Sequence, residues 1–177
     1  MGNIYKINQK NIDKLNFRKI NPIIIGSNFS PKKILDTFIY KDKIYFSSVE
    51  DEKNCITLNI SVANINLKQL NFETFYKGKE CADLLLGGRI QSYVHNNQDG
   101  IIITTHGHKY NQPDQTPQSD NSIYGKIIFL DFKNKRPIIF SKGHRVSQGL
   151  YSDGNIILQT EHGPRGGDEL NLIKKNN

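Results

Sequence analysis

A chain of 177 residues, 36% of them hydrophobic, is long enough for one core, and it has no run of about 18 apolar residues that would cross a membrane. The net charge of +7, with a pI near 9.3, comes from lysines scattered among Asn and Ile. A nucleic-acid surface needs a basic stripe interleaved with aromatics, and none is visible, so no nucleic-acid partner is expected. Met1-Gly-Asn-Ile-Tyr-Lys6 lacks a charged start followed by an apolar core, so no signal peptide is expected either, and at face value the product is soluble and cytoplasmic. The two cysteines, Cys55 and Cys81, pair only if the fold brings them together; the default expectation is two unpaired thiols.

In chain order, short β-rich runs follow one another. Ile4-Tyr-Lys-Ile7 and Leu15-Asn-Phe-Arg-Lys-Ile20 come first. Then Asp42-Lys-Ile-Tyr-Phe-Ser47, Asp99-Gly-Ile-Ile-Ile-Thr104 and Asp153-Gly-Asn-Ile-Ile-Leu158 each place a turn Asp before a strand, at an interval of about 55 residues. A short strand precedes each turn: Thr37–Tyr40, Ile90–Val94 and Gly149–Tyr151. The first two units continue with two further strands, Ile56–Ile65 and Leu70–Tyr76 in one, Lys126–Phe132 and Pro137–Phe140 in the other. The third continues with Asp168–Ile173.

Four short antiparallel strands per repeat is the pattern of a β-propeller blade. The expected fold is therefore all-β, an open propeller in one domain: a half blade over 1–27, blades over 32–78 and 88–141, and an incomplete blade over 148–177. Open repeat arrays leave faces and edges uncovered, so the chain reads as a fragment or as a protein that gains its missing half from a second copy or another polypeptide.

The densest signal is Gly143-His-Arg-Val-Ser-Gln-Gly149, a hairpin turning at Asp153-Gly154, then Thr160-Glu-His-Gly-Pro-Arg-Gly-Gly-Asp-Glu-Leu-Asn-Leu172. Both glycine-rich ends fall at strand termini, where a sheet presents carbonyls, a guanidinium and carboxylates to a polar ligand. These residues resemble the soluble glucose/sorbosone dehydrogenases that use pyrroloquinoline quinone (PQQ), whose signature reads GHRNPQG, a hairpin, then EHGPRGGDELN and NYGWP. Gly87-Gly88-Arg89 and Tyr124-Gly125-Lys126-Ile127 resemble two further family segments, so the likeness covers roughly residues 80 to 177. It implies a six-bladed propeller, a periplasmic or secreted location, PQQ and Ca²⁺ as cofactors, an aldose substrate and an external electron acceptor. The chain stops where NYGWP would begin, which fits a fragment.

Carried over residue by residue, the resemblance gives Arg145 as the quinone-binding guanidinium, with Gln148, His162 and Asp168 beside it. It gives Gly163 and Pro164 as the carbonyl ligands of Ca²⁺, a cation that takes oxygen donors at a flexible coordination number. Taken structurally, Arg145 would instead form a blade-to-blade ion pair with Asp168 or Glu169, and Gly163-Pro164 would be an ordinary turn ending a strand. The family's general base, a His two residues before Gly-Gly-Arg, falls on Leu85, which accepts no proton. Val146 and Ser147 replace the Asn and Pro of the motif. His106 and His108 are the candidate substitutes for the base, with His162 also in reach of the rim. His106-Gly-His108 has metal-ligand spacing but no evident third ligand, so a metal-dependent hydrolase is a distant third reading. The runner-up is a non-catalytic propeller module that binds carbohydrate or protein. The polar stretch His108–Ser122 is too long for a hairpin and too polar for a core, and is expected to lie over the ligand-binding end or to be disordered.

Overall fold

The computed structural model describes residues 24–26, 29–66, 69–108, 116–163 and 166–174. Among them there is no α-helix; they are strand and connection, with a 3-10 turn at Thr116–Gln118. The chain is all-β, in several antiparallel sheets that do not close on one another. The segments Ile4–Ile7 and Leu15–Ile20, expected as strands of a half blade, lie outside the described residues.

The strands in chain order are β1 (Ile24–Ile25), β2 (Lys33–Tyr40), β3 (Lys43–Glu52), β4 (Cys55–Asn64), β5 (Gln69–Leu70), β6 (Glu73–Lys77), β7 (Leu84–His95), β8 (Gln98–His108), β9 (Lys126–Asp131), β10 (Pro137–Lys142), β11 (Val146–Ser152), β12 (Ile157–His162) and β13 (Glu169–Leu172). The first sheet has the order β2-β3-β4-β6, the second β10-β9-β8-β7, and the third β11-β12-β13. The run Leu70–Tyr76, expected as one strand, is two. Its first residues, β5, leave the sheet to pair in parallel with β1. Phe72 then tucks between Phe29 and Phe46, at ring-centroid distances of 4.1 and 5.1 Å, and this aromatic packing competes with a continuous ladder.

Hairpin turns carry the chemistry their backbones need. Asn96 and Asn97, both at positive φ, link β7 to β8, as a two-residue turn with the twist of its strands requires. At the β11–β12 turn the Asp153 carboxylate accepts from the amides of Asn155 and Ile156, an Asx turn.

The middle strands of the second sheet, β8 and β9, are buried on both faces where they run side by side. Ile101, Ile103, Ile128 and Leu130 pack with Tyr45, Val49, Leu58, Ile60 and Phe75 of the first sheet. Ile102, Ile127 and Phe129 pack with Phe140, Ile157 and Ile173 on the side of the third. A strand covered on both sides has no polar face to offer, which is why Ile101-Ile-Ile103 and Ile127-Ile-Phe-Leu130 run without alternation. The third sheet is half covered. Tyr151, Leu158 and Leu172 stand side by side on its far face, with Leu170 beside them, and Tyr151, Leu170 and Leu172 are exposed.

Cys55 and Cys81 form a disulfide with a Cα–Cα distance of 5.6 Å, correcting the expectation of free thiols. Sequence alone could not bring them together. The fold does so because the segment after β6 returns along the start of β4, where Ile56 and Ala82 exchange backbone hydrogen bonds at 3.0 and 2.9 Å.

Candidate functional site

One end of the second and third sheets collects the end of β8, the start of β9, the end of β10, the start of β11 and the end of β12, because their registers pair Thr105 with Lys126, Lys126 with Lys142, and Val146 with His162. The glycine-rich motifs meet at this end.

Glu161 is its buried hub. The carboxylate is nearly inaccessible, and each oxygen is engaged. Oε2 accepts from the backbone N–H of Arg145 at 2.8 Å and from Gln159 Nε2 at 3.3 Å. Oε1 accepts from Asn171 Nδ2 at 3.0 Å and faces His144 Nδ1 at 3.6 Å. Burial alone would raise its pKa. The His144 hydrogen bond, the Arg145 amide, the His144 charge and the Gln159 amide together outweigh burial, so the carboxyl lies below its ordinary value. His144 is in turn bonded through Nε2 to Ser141 Oγ at 2.8 Å, and Gln159 donates to Ser147 Oγ. Ser141, His144 and Glu161 thus have the order of a nucleophile–base–acid relay, but all three are buried, and the arrangement fixes backbone.

What it fixes is Arg145. With its amide clamped, the exposed side chain turns its guanidinium to the 163 corner, where Nη1 donates to Gly163 O at 2.7 Å and approaches His162 O at 3.4 Å. The alternative partners are engaged elsewhere: Asp168 Oδ1 lies 3.2 Å from His162 Nδ1, and Glu169 accepts from Asn171. Gly163 is there for space, since a Cβ on it would stand 1.6 Å from Gly167 O. Pro164, the other expected carbonyl ligand, lies outside the described residues.

Gln148 is exposed on β11, and its backbone carbonyl accepts from Arg89 Nε at 2.7 Å. Arg89 also reaches Leu35 O through Nη1 at 3.0 Å and Asp36 Oδ1 at 3.6 Å, so one guanidinium ties all three sheets. Its aim comes from Gly87 and Gly88, both at positive φ, which bulge β7 where the register slips between Gly87 and Ile90. A Cβ on Gly88 would come within 2.7 Å of Leu35, and Ser47 Oγ donates to its carbonyl at 2.6 Å.

Leu85 is 3% exposed and packs between the first two sheets, so the position assigned to the base faces the core. Its neighbours Leu84 and Leu86 pair with His108 and His106 across the ladder, which brings both histidines to the rim end of β8. Among the described residues no three His, Cys, Asp or Glu side chains converge as a metal site.

Sequence reasoning missed Lys126. It is fully buried, and Nζ donates to the carbonyls of Thr116, Pro117 and Tyr124 at 2.8, 2.9 and 2.8 Å. Burial pushes its pKa down to about 8. It binds the end of the long polar stretch under the rim, as does the Gly143 N–H, which donates to Pro117 O at 2.9 Å. The described part of that stretch, 116–122, is therefore anchored; residues 109–115 lie outside the described residues.

A family model described as Glucose / Sorbosone dehydrogenase matches residues 33–177. The chain belongs to that family. An uncharacterized protein of Synechocystis sp. is 42% identical over 76 aligned positions, which cover 34% of this chain and 18% of that protein. The match thus spans under a fifth of that relative's length. The glucose/sorbosone dehydrogenase match takes in the first four-stranded sheet, beyond the part of the chain whose motifs carry the resemblance.

PQQ and Ca²⁺ are the cofactors that the resemblance implies. A quinone bearing carboxylates suits an exposed guanidinium whose backbone is locked in advance, and Arg145 has that form. Calcium does not fit the corner as it stands, because Gly163 O already accepts a hydrogen bond from a full positive charge.

Proposed function

We propose that this chain is an open portion of a six-bladed β-propeller, part of a PQQ-dependent aldose dehydrogenase-like protein. Each sheet is a blade or part of one: β2-β3-β4-β6 and β7-β8-β9-β10 whole, β11-β12-β13 incomplete. The observation that carries the reading is the buried Glu161 clamp on the Arg145 amide, an expense of desolvation that makes sense if that guanidinium must be presented in one place. Arg145 binds a carboxylate of the quinone, Gln148 and His162 add polar contacts at the rim, and Asp168 orients the His162 ring through Nδ1. Held there by Arg145, a quinone would supply the acceptor for a hydride from the sugar carbon and the route for its electrons to an external acceptor. The hydroxyl proton goes to His106 or His108, since Leu85 cannot take it. The Cys55–Cys81 disulfide suits the oxidising compartment that the family resemblance implies.

A second reading has its own support. With Leu85 buried where the family base would be, a propeller module that binds carbohydrate or protein without turnover is the alternative. Titrating PQQ into the purified chain by absorbance and fluorescence, then following dye reduction with an aldose, separates the two. Saturable PQQ binding lost in Arg145→Ala supports the quinone site. Binding without dye reduction selects a quinone-binding chain with no turnover, and no PQQ binding selects the module.

A further inference from the structure

The misfit between calcium and the 163 corner has a physical cause in this chain. We infer that the Arg145 guanidinium is the resident cation of the Gly163 carbonyl, and that it and a divalent cation exclude each other there. The inference rests on the reading of this rim as a quinone site, and on calcium only as the cation that the resemblance implies there.

The corner is built to hold a positive charge. Nη1 of Arg145 is 2.7 Å from Gly163 O and 3.4 Å from His162 O, and the Asp168 carboxylate stands on the adjacent His162 ring. Gly163 itself is buried, with Gly167 O so close that no side chain fits between them. A backbone carbonyl of a buried residue needs a partner, and the guanidinium provides one from within the chain. Calcium takes oxygens at 2.3–2.6 Å, so a calcium ion on Gly163 O would stand within a few ångströms of Nη1. A doubly charged ion and a guanidinium at that range repel strongly even where the medium screens as well as a protein surface does.

One of the two must leave, and their freedom to do so differs. The Arg145 backbone is held by Glu161 Oε2 at 2.8 Å, whereas its side chain is exposed and, among the described residues, is bonded at the corner through Nη1. The guanidinium therefore swings out and the main chain stays. A cation at the corner frees the same guanidinium for an anionic ligand, so cation and anion binding are coupled through one side chain.

The test is calcium titration by calorimetry, with CaCl₂ as the only titrant, of the wild type, Arg145→Met and Arg145→Lys, with the Gly163 amide followed by NMR. Met keeps the stem and removes the charge; Lys keeps the charge. The expected result is calcium affinity at least about tenfold tighter in Arg145→Met than in the wild type, with Arg145→Lys close to the wild type and the Gly163 amide shifting on titration. Equal or weaker binding by Arg145→Met overturns the inference while leaving the calcium reading in place. Absence of calcium binding from all three overturns both.

Discussion

Arg89 donates through Nε to the backbone carbonyl of Gln148 at 2.7 Å, across a sequence separation of 59 residues. The bond joins the second sheet to the third beside the candidate rim, and the same guanidinium reaches back to Leu35 and Asp36 of the first. Arg89→Met keeps much of the stem and leaves those acceptors without their donor. It should cost about 1–3 kcal/mol in urea unfolding. Hydrogen exchange should quicken in β11 more than in β4.

Glu161→Gln replaces a carboxylate that only accepts with an amide that must also donate. One of its contacts, to the Arg145 N–H or to Asn171 Nδ2, then sets donor against donor. A loss of about 2 kcal/mol in chemical denaturation is expected, with weaker PQQ binding even where the protein remains folded. Asn171→Ala, which removes one donor to the same carboxylate without touching the Arg145 contact, should lower stability and spare PQQ binding.

Lys126 gives a pH dependence of unusual sign. Its folded pKa of about 8 lies below the ordinary 10.5, so between those values the unfolded chain holds the extra proton. Stability should therefore rise with pH from about 8 towards 10, where an ordinary lysine ion pair would give a loss. Below pH 8 both states are charged and the slope vanishes. The Lys126→Met variant should lack the rise, by a difference of roughly 2 kcal/mol across the window, read from urea midpoints at each pH. A parallel pair of curves for wild type and variant would contradict this.

Reduction of Cys55–Cys81 releases a loop closed over 26 residues. Loop-closure entropy gives about 3 kcal/mol for a cross-link of that size. The double variant Cys55→Ser, Cys81→Ser should melt lower than the oxidised wild type, and dithiothreitol should bring the wild type down to meet it.

Local chemistry made much of the fold legible. Asp153-Gly154 announced its turn because the Asx bond lies within the same four residues. The isoleucine runs of β8 and β9 announced strands through β-branching, and their lack of alternation is what burial on two faces requires. The split of Leu70–Tyr76 was not legible, since it depends on Phe29 and Phe46 reaching Phe72 from far along the chain. The motif named Arg145, Gly163 and His162, which the fold brings to one corner. The groups that hold that corner were not legible. Glu161 serves a backbone amide 16 positions away, and Lys126 serves carbonyls, which carry no side-chain signature at all. The disulfide was hidden for the same reason: spacing gives no clue to a return along β4.

Tyr151, Leu170 and Leu172 have a practical meaning for anyone who purifies this chain. A greasy sheet face ending in the β13 margin is a template for strand addition, so concentrated samples should scatter light and seed one another. Lysine substitutions at Leu170 and Leu172, whose side chains are mostly in solvent already, are the natural remedy before any crystallisation trial.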